Sequence, residues 1–406
     1  MPKRLLLFAE TTGYQIRTFA AAARRAGAVL VLATNRCRHL DDPWGDHAIA
    51  VKFDRIAQSL ETLEGVRCDG VAAVGDRPAV LAAHAAEALG LPFHSAQAAQ
   101  ACHDKFRARS ILQAAGLPVP RFFEARGVED AERAPYPCVL KPLGLSASRG
   151  VIRANDPAEF RAAYARIRRM GEERVQVEAY IPGREFAVEA LMTNGEFRLL
   201  AIFDKPDPLE GPFFEETIYT TPSREKESVQ RELVSATAAA ACALGLHHGP
   251  VHAELRHNHE GAWVLEAHAR PIGGLCARSL RFDCAGNGPA IPLEELIARQ
   301  ALGEDVRGYV RESQASGVMM IPTPREGLYE SVEGVDRAGA VAGMEEVIVT
   351  AEPGQRFLPP PEGSSYLGFL FARADSPAVA EAALRRAHGE LHFRFATRLE
   401  TLSPST

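Results

Sequence analysis

The chain has 406 residues, enough for two to four domains at about 100–200 residues each. Its 46% hydrophobic and 24% charged content fits a globular protein with a substantial core, and a formal net charge of −6 argues against nucleic acid as a main partner. No apolar run reaches the roughly 18 residues of a membrane helix. The opening MPKRLLLFAE does not read as a signal peptide, because Glu10 ends its short apolar run, and the seven scattered cysteines suit reduced thiols in a cytoplasm.

The first ninety or so residues alternate strand and helix. RLLLFAE, VLVLAT, AIAVKF and GVAAVGD read as strands. A helix runs from Gln15 to Arg25, and PAVLAAHAAEALG forms another, with Pro78 at its start and Gly90 at its end. This pattern predicts a parallel α/β layer over 1–95. GxGxxG is absent after the first strand, so no nicotinamide cofactor is expected.

From about Ala96 the texture changes to α+β. The helix DKFRARSILQAAG is followed by the strand PCVLKP, ending in Lys141, then the small-residue run GLSASRG and the strand VIRA. Asp156-Pro157 opens a helix. VQVEAY and EFAVEALM flank a turn at Pro182-Gly183, and the TNG turn returns FRLLAIFD antiparallel to EFAVEALM. An Ala-rich helix near 226–244 leads into GPVHAELR and AWVLEAHAR, two strands joined by a polar turn at Asn258 to Gly261. The expected domains are thus 1–95, 96–311 (with a lid subdomain of about 118–190) and 312–406. The last is a small α+β module with strands GVMMIP, EEVIVTAE and YLGFLFARA and a helix capped at Ser376-Pro377.

Several residue groups suggest chemistry. If GPVHAELR and AWVLEAHAR pair, Glu254 and Glu266 lie on adjacent strands. Two acids side by side repel, and a hard cation such as Mg²⁺ relieves that; two solvent-facing strand acids are the plainer alternative. Lys105, near the start of a helix, and Lys141, before a flexible loop, suit a triphosphate, with N–H groups of Gly144 to Gly150 closing over the phosphates. No Walker motif is present, and GLSASRG misses GxSxG because Ser148 stands where the second glycine belongs. In VEAYIPGREFAVE, three acids (Glu178, Glu185, Glu189) surround a tight turn, which fits either a purine-and-ribose site or a charged hairpin.

The order of these parts resembles the ATP-grasp superfamily over roughly residues 96 to 310: two lysines, a small-residue loop, E-x-Y-x-x-G-x-E, two acids, then E-x-x-x-R-x-x-G-G. The segments DKPDPLEGPFFEETIYTTPS, GPVHAELR, EAHARPIGG and GFLFARADSPAVAEAALRRAH are most similar to the L-amino-acid ligase branch, which makes dipeptides. The resemblance implies an ATP-grasp fold behind an N-terminal parallel α/β domain. It also implies an ADP-forming ligase that activates a carboxylate as an acyl phosphate and couples it to an amine.

By that resemblance, ATP would be held by Lys105 and Lys141, by Ser146, Ser148 and Gly150 of the lid loop, by Glu178, Ala179, Tyr180 and Ile181 at adenine, and by Glu185 at ribose. Glu254 and Glu266 would bind metal, with two Mg²⁺ ions or Mn²⁺ in their place. His268 is a further metal candidate where the superfamily commonly has Asn. Arg270 would act with Lys141 in catalysis and meet the substrate carboxylate beside Gly273 and Gly274, with His252 and Glu216 as additional substrate contacts. The expected partners are small-molecule acid and amine substrates, with no nucleic acid and no membrane, in a cytoplasmic homodimer. The competing readings are a biotin-carboxylase-like or purine-pathway ATP-grasp enzyme and a non-catalytic ATP-binding scaffold. EAHARPIGG lacks the N-x-R-x-Q-V-E-H continuation of the carboxylases.

Overall fold

The structure, a computed structural model, describes residues 1–11, 13–36, 48–284 and 288–396. By compactness the chain forms two units, each assembled from three stretches: 1–119, 183–204 and 223–313 in the first, and 120–182, 205–222 and 314–406 in the second.

The first unit begins with a parallel sheet in the order Ile49–Ala50, Ala28–Thr34, Lys3–Ala9, Gly70–Val74. Leu5 to Ala9 is a continuous apolar run because helices cover both faces of such a sheet, and all five residues are fully buried. The expected strand AIAVKF is cut to Ile49–Ala50. Ser59 Oγ accepts from the Lys52 N–H at 2.9 Å and donates to the Lys52 carbonyl at 2.8 Å, turning the chain into the helix Ile56–Leu63. The strand order reverses between Lys3–Ala9 and Gly70–Val74, so the crevice beyond their carboxyl ends is where such sheets bind ligands.

Also in the first unit is an antiparallel group in the order Gly261–His268, Gly249–Asn258, Arg184–Thr193, Glu196–Asp204. Helices Ala96–His103, Lys105–Ala114 and Glu227–Ala243 supply much of its apolar backing, with Phe186, Val188, Leu233, Ala240, Val251 and Leu255 in the core. Ser95 and Asp104 cap the first two helices, accepting from Ala98 N–H and Arg107 N–H. At the turn into Arg184–Thr193, Gly183 has φ +127°, and a Cβ there would lie 2.3 Å from the His257 carbonyl oxygen, so only glycine fits.

In the second unit, four strands run in the order Phe122–Ala125, Val175–Ala179, Cys138–Pro142, Ile152–Ala154, with the helix Pro157–Arg169 burying Phe160, Ala163 and Ile167 against them. Strands Ile218–Thr221, Ala315–Ile321, Gly368–Ala374 and Met344–Val349 lie side by side in that order, packed by the helix Pro377–Gly389. A further sheet of Arg356–Phe357, Gly327–Glu333 and His392–Ala396 completes the unit. Its middle strand escapes sequence reading because an irregularity between Tyr329 and Ser331 breaks the apolar alternation. Among the described residues, no helix is long and apolar enough to cross a membrane.

Candidate active site

The antiparallel ladder of the first unit sets the carboxylate pair. Glu254 is directly opposite Glu266, and His252 is directly opposite His268. Period-two alternation puts all four on one face. The two imidazoles stack with centroids 5.8 Å apart. His252 Nε2 stands 3.4 Å from Glu254, and His268 Nε2 stands 3.2 Å from Glu266. The two glutamates keep 23% and 24% side-chain exposure, so a ligand can reach them. Like charges directly opposite destabilise a ladder, and this oxygen donor set fits a hard divalent cation.

Arg270 lies two residues beyond the end of this strand. Its Nε–H donates to Asp76 Oδ1 at 2.7 Å, and its Nη1–H donates to the Pro271 carbonyl at 3.1 Å. His268 Nδ1 shares the same Asp76 oxygen at 2.9 Å. Burial would raise the Asp76 carboxyl, but Arg270 and His268 hold it well below the usual carboxylate range. Burial would likewise lower His268, and Asp76 overrides it, raising the imidazole to about 9. Each His268 nitrogen thus lies within ion-pair distance of a carboxylate, Nδ1 of Asp76 and Nε2 of Glu266.

The loop after Arg270 is tied from two sides. Gln15 Nε2 donates to the Ile272 carbonyl at 2.7 Å and to the Gly274 carbonyl at 3.0 Å. Glu189 Oε2 accepts from the Ile272 N–H at 3.1 Å, and its other oxygen holds His252 Nδ1 in a short bond. Of the glycine pair, Gly274 has φ +61°, whereas a Cβ at Gly273 would meet nothing within 4 Å. Nearby, Arg256 Nε–H donates to Glu185 Oε2 at 2.9 Å, so Glu185 is engaged by a buried arginine. Lys105 is the first residue of its helix, and Arg109 pins that helix to the Glu266 strand by donating to the Val264 and Leu265 carbonyls at 2.6 and 2.8 Å.

In the second unit Lys141 is 8% exposed, and its ammonium meets Glu178 at 2.7 Å. Gln176 Nε2 donates to the other Glu178 oxygen at 2.7 Å. The ladder explains the cluster: Val139 faces Glu178 and Lys141 faces Gln176 on neighbouring strands. In the segment expected at adenine, Ala179 N–H donates to the Arg121 carbonyl and Tyr180 N–H to the Pro137 carbonyl, which fixes its backbone. Arg153 lies over the Tyr180 ring at 4.1 Å, and Ile181 is buried.

Ser146, Ser148 and Gly150 sit on the loop after Lys141. Ala147 and Ser148 have φ of 54° and 55° and Gly150 has 69°. Gly144 N–H donates to Glu172 at 3.1 Å at the loop's start. Glu216 pairs with the buried Lys205 at 2.5 Å.

Sequence reasoning did not single out Asp76, Gln15 or Arg109. For the first two a signal existed: each follows a parallel strand that flanks the point where the strand order reverses.

Residues 134–279 match the ATP-grasp domain family, and residues 319–396 match the L-amino acid ligase C-terminal domain 2. An uncharacterized protein of Sinorhizobium fredii, y4rH, is 27% identical over 74% of this chain and 62% of its own length. The alanine–anticapsin ligase of Bacillus subtilis strain 168 is 25% identical over 66% of this chain and 64% of its own. The chain therefore spans less than two thirds of these curated relatives. The crystal structure of L-amino acid ligase from Bacillus licheniformis superposes with a TM-score of 0.82 at 27% identity, covering 98% of this chain and all of that one. The chain thus carries an ATP-grasp domain and an L-amino acid ligase C-terminal domain, in a fold similar to that of L-amino acid ligase.

Proposed function

We propose that the protein is an ATP-dependent, ADP-forming carboxylate–amine ligase that joins an amino acid to a second amino acid or related amine. The observation that carries the reading is the register of Glu254 against Glu266, with Arg270 held two residues beyond the strand by Asp76. A carboxylate oxygen attacks the γ-phosphorus of ATP, ADP leaves, and an acyl phosphate forms. The amine nitrogen then bonds to the acyl carbon, the bond from that carbon to the bridging oxygen breaks, phosphate leaves with its electron pair, and the nitrogen gives up one proton to solvent.

Glu254 and Glu266 would hold Mg²⁺, or Mn²⁺ in its place, and the ion would supply charge neutralisation for the transferring phosphoryl group. Two ions are the expected number. Arg270 would bind the acid's carboxylate and stabilise charge at the acyl oxygen, an effect of about 3 kcal/mol per well-placed donor. Held by Asp76, its guanidinium needs no reorganisation as that charge grows. Lys105 and Lys141 would contact phosphates. Binding there must compete with Glu178 for the Lys141 ammonium, so Lys141 is positioned by Glu178 and shared with the nucleotide. Glu178 to Ile181 would meet adenine and Glu185 ribose, while Ser146, Ser148 and Gly150 would offer loop donors to the phosphates. Gly273 and Gly274 would let backbone N–H groups approach the substrate. His252, fixed by Glu189, and Glu216, fixed by Lys205, would be polar walls for it.

The acid and amine are small molecules, and a dipeptide or dipeptide-like natural product made in the cytoplasm is the product class the reading supports. The test is phosphate release from ATP and Mg²⁺ across amino acids offered singly and in pairs, with mass spectrometry of the products. ADP and a condensed amide formed only when two substrates are present is the expected result. ATP binding without turnover on any pair of acids and amines would instead favour a nucleotide-binding scaffold. Sizing in solution tests the expected homodimer.

A further inference from the structure

We propose that Glu362, on the loop LPPPEGSS of the C-terminal module, is a positioning residue for the phosphate loop GLSASRG and sets how that loop meets ATP. The proposal rests on the ATP-binding reading of GLSASRG. All the bonds involved lie within the second unit.

The end of the phosphate loop is tied to this second loop at two points, and a helix holds the second loop at a third. Gly150 N–H donates to the Pro361 carbonyl at 2.9 Å, and Arg149 Nε–H donates to the Glu362 carbonyl at 3.1 Å. The Glu362 carboxylate receives a two-pronged bond from Arg166, with Nε at 2.6 Å and Nη2 at 2.9 Å. Arg166 belongs to the helix that follows the strand Ile152–Ala154, and its guanidinium lies 5.1 Å from the Phe213 ring, whose backbone bridges to Ile152. The carboxylate is thus fixed to the framework that carries the phosphate loop. The bonds from Arg166 hold its pKa below the ordinary range, so it is charged at neutral pH.

LPPPEGSS is itself folded tightly. Gly363 N–H donates to the Pro359 carbonyl at 3.2 Å, and a Cβ at Gly363 would lie 1.7 Å from the Leu358 carbonyl oxygen. The side chains of Arg166 and Glu362 are 38% and 37% exposed. Ion pairs that open to water add little to stability, whereas a two-pronged arginine–carboxylate pair fixes geometry. The pair is therefore better suited to placing the loop than to holding the fold. With Gly144 bonded to Glu172 at the other end, the N–H groups between the two anchors are presented from a span with fixed ends. A segment outside the matched ATP-grasp range would then take part in nucleotide binding.

The test uses full-length Glu362→Ala and Glu362→Gln, and the charge swap Glu362→Arg with Arg166→Glu. Affinity for a non-hydrolysable ATP analogue is measured by calorimetry, loop exposure by hydrogen exchange over 144–150, and KM for ATP and for the amino acids by phosphate release. The expected result is about fivefold weaker nucleotide binding in the single variants, the size one partly exposed ion pair can give. Faster exchange over 144–150 should accompany it, with amino-acid KM and Tm nearly unchanged and partial recovery in the swap. Nucleotide affinity and loop exchange equal to wild type in Glu362→Ala would overturn the proposal. So would losses that only track a fall in Tm. Both readouts work without turnover, so a wild type that binds ATP and makes no amide removes the ligase reading alone.

Discussion

The carboxylate group of the first unit and the phosphate loop of the second are built in opposite ways. Glu254, Glu266 and Arg270 are placed by strand register and by a half-buried acid, Asp76, that bonds Arg270 through its Nε. GLSASRG is placed by hydrogen bonds at its two ends, one end meeting a loop that a partly exposed ion pair holds, and its middle carries two non-glycine residues at positive φ. Groups that must stabilise developing charge gain from being rigid before the reaction, because reorganising them at that moment costs energy. A loop that must admit and then cover a nucleotide gains from weak, local ties. Substitutions in the first region should therefore remove chemistry or fold outright, and those in the loop should shift binding by modest factors.

The largest effect is expected at Glu266, the acid proposed to hold metal. Glu266→Gln should lower kcat by about 10³-fold or more, since it removes charge where phosphoryl transfer needs a cation. Its circular dichroism and Tm should match wild type, because the acid keeps one end in solvent. Turnover within tenfold of wild type would take Glu266 out of the active site.

Lys141 combines the two kinds of construction, as a buried strand residue at the root of the GLSASRG loop. Lys141→Met should destabilise the protein by about 3–5 kcal/mol in chemical denaturation, because Glu178 is then left as a buried carboxylate without its counter-charge. Lys141→Met combined with Glu178→Leu should recover most of that stability and still bind ATP poorly. Recovery of both together would mean that the lysine serves the fold alone.

These pairs also mark what a sequence can and cannot reveal. Glu254 and Glu266 were legible as acids of one hairpin because a polar turn joins two apolar strands, but counting from that turn sets Glu254 against Leu265, and the bulge between Glu254 and Leu255 is what brings it opposite Glu266. Lys141 was legible as the last charged residue of an apolar strand. The partner of Arg270 was not, because Asp76 is 194 residues away and opens the helix Asp76–Leu89. Glu178 looked like part of an adenine segment, and only the pairing of Val175–Ala179 with Cys138–Pro142 turns its side chain to Lys141. Gln15 read as the start of a helix, and it is the N-cap residue of Ile16–Arg25, but its side chain also holds the Ile272 and Gly274 carbonyls, which the sequence did not show. Local signals such as caps, turns and alternation survive in one dimension, but ion pairs between distant segments do not.

Acid should discriminate the regions as well. His94 is buried in the first unit, with Nε2 2.9 Å from the Pro250 carbonyl and Nδ1 accepting the His247 N–H at 3.1 Å. A second ring proton would have to displace that N–H. Burial, with further repulsion from His248 and His247, lowers its pKa from 6.5 to about 4 against the pull of the Pro250 bond. Between those values the unfolded chain binds more protons than the native one, so stability falls as pH drops through the window, by up to about 3 kcal/mol. Denaturation midpoints from pH 7 to pH 4 should show this loss, and His94→Gln should flatten it. An equally steep loss in the variant would assign the acid sensitivity to other groups.

The smallest effect is expected in the loop itself. Ala147 holds φ at 54°, a conformation that costs an L-residue about 1–2 kcal/mol and glycine almost nothing. Ala147→Gly relieves that cost in the native state and also widens the unfolded ensemble, so the net gain should be no more than about 1 kcal/mol. The useful quantity is where the gain appears. If ATP binds a loop that keeps this conformation, the variant's stability rises equally with and without a saturating ATP analogue, and nucleotide affinity stays as it was. If ATP binding moves Ala147 out of the left-handed region, the nucleotide itself relieves the strain. The variant is then stabilised only when free, and its affinity falls by the same free energy, about fivefold for 1 kcal/mol. Thermal unfolding of wild type and variant, each with and without the analogue, separates the two, because the four midpoints close a cycle in which the nucleotide term must equal the change in affinity.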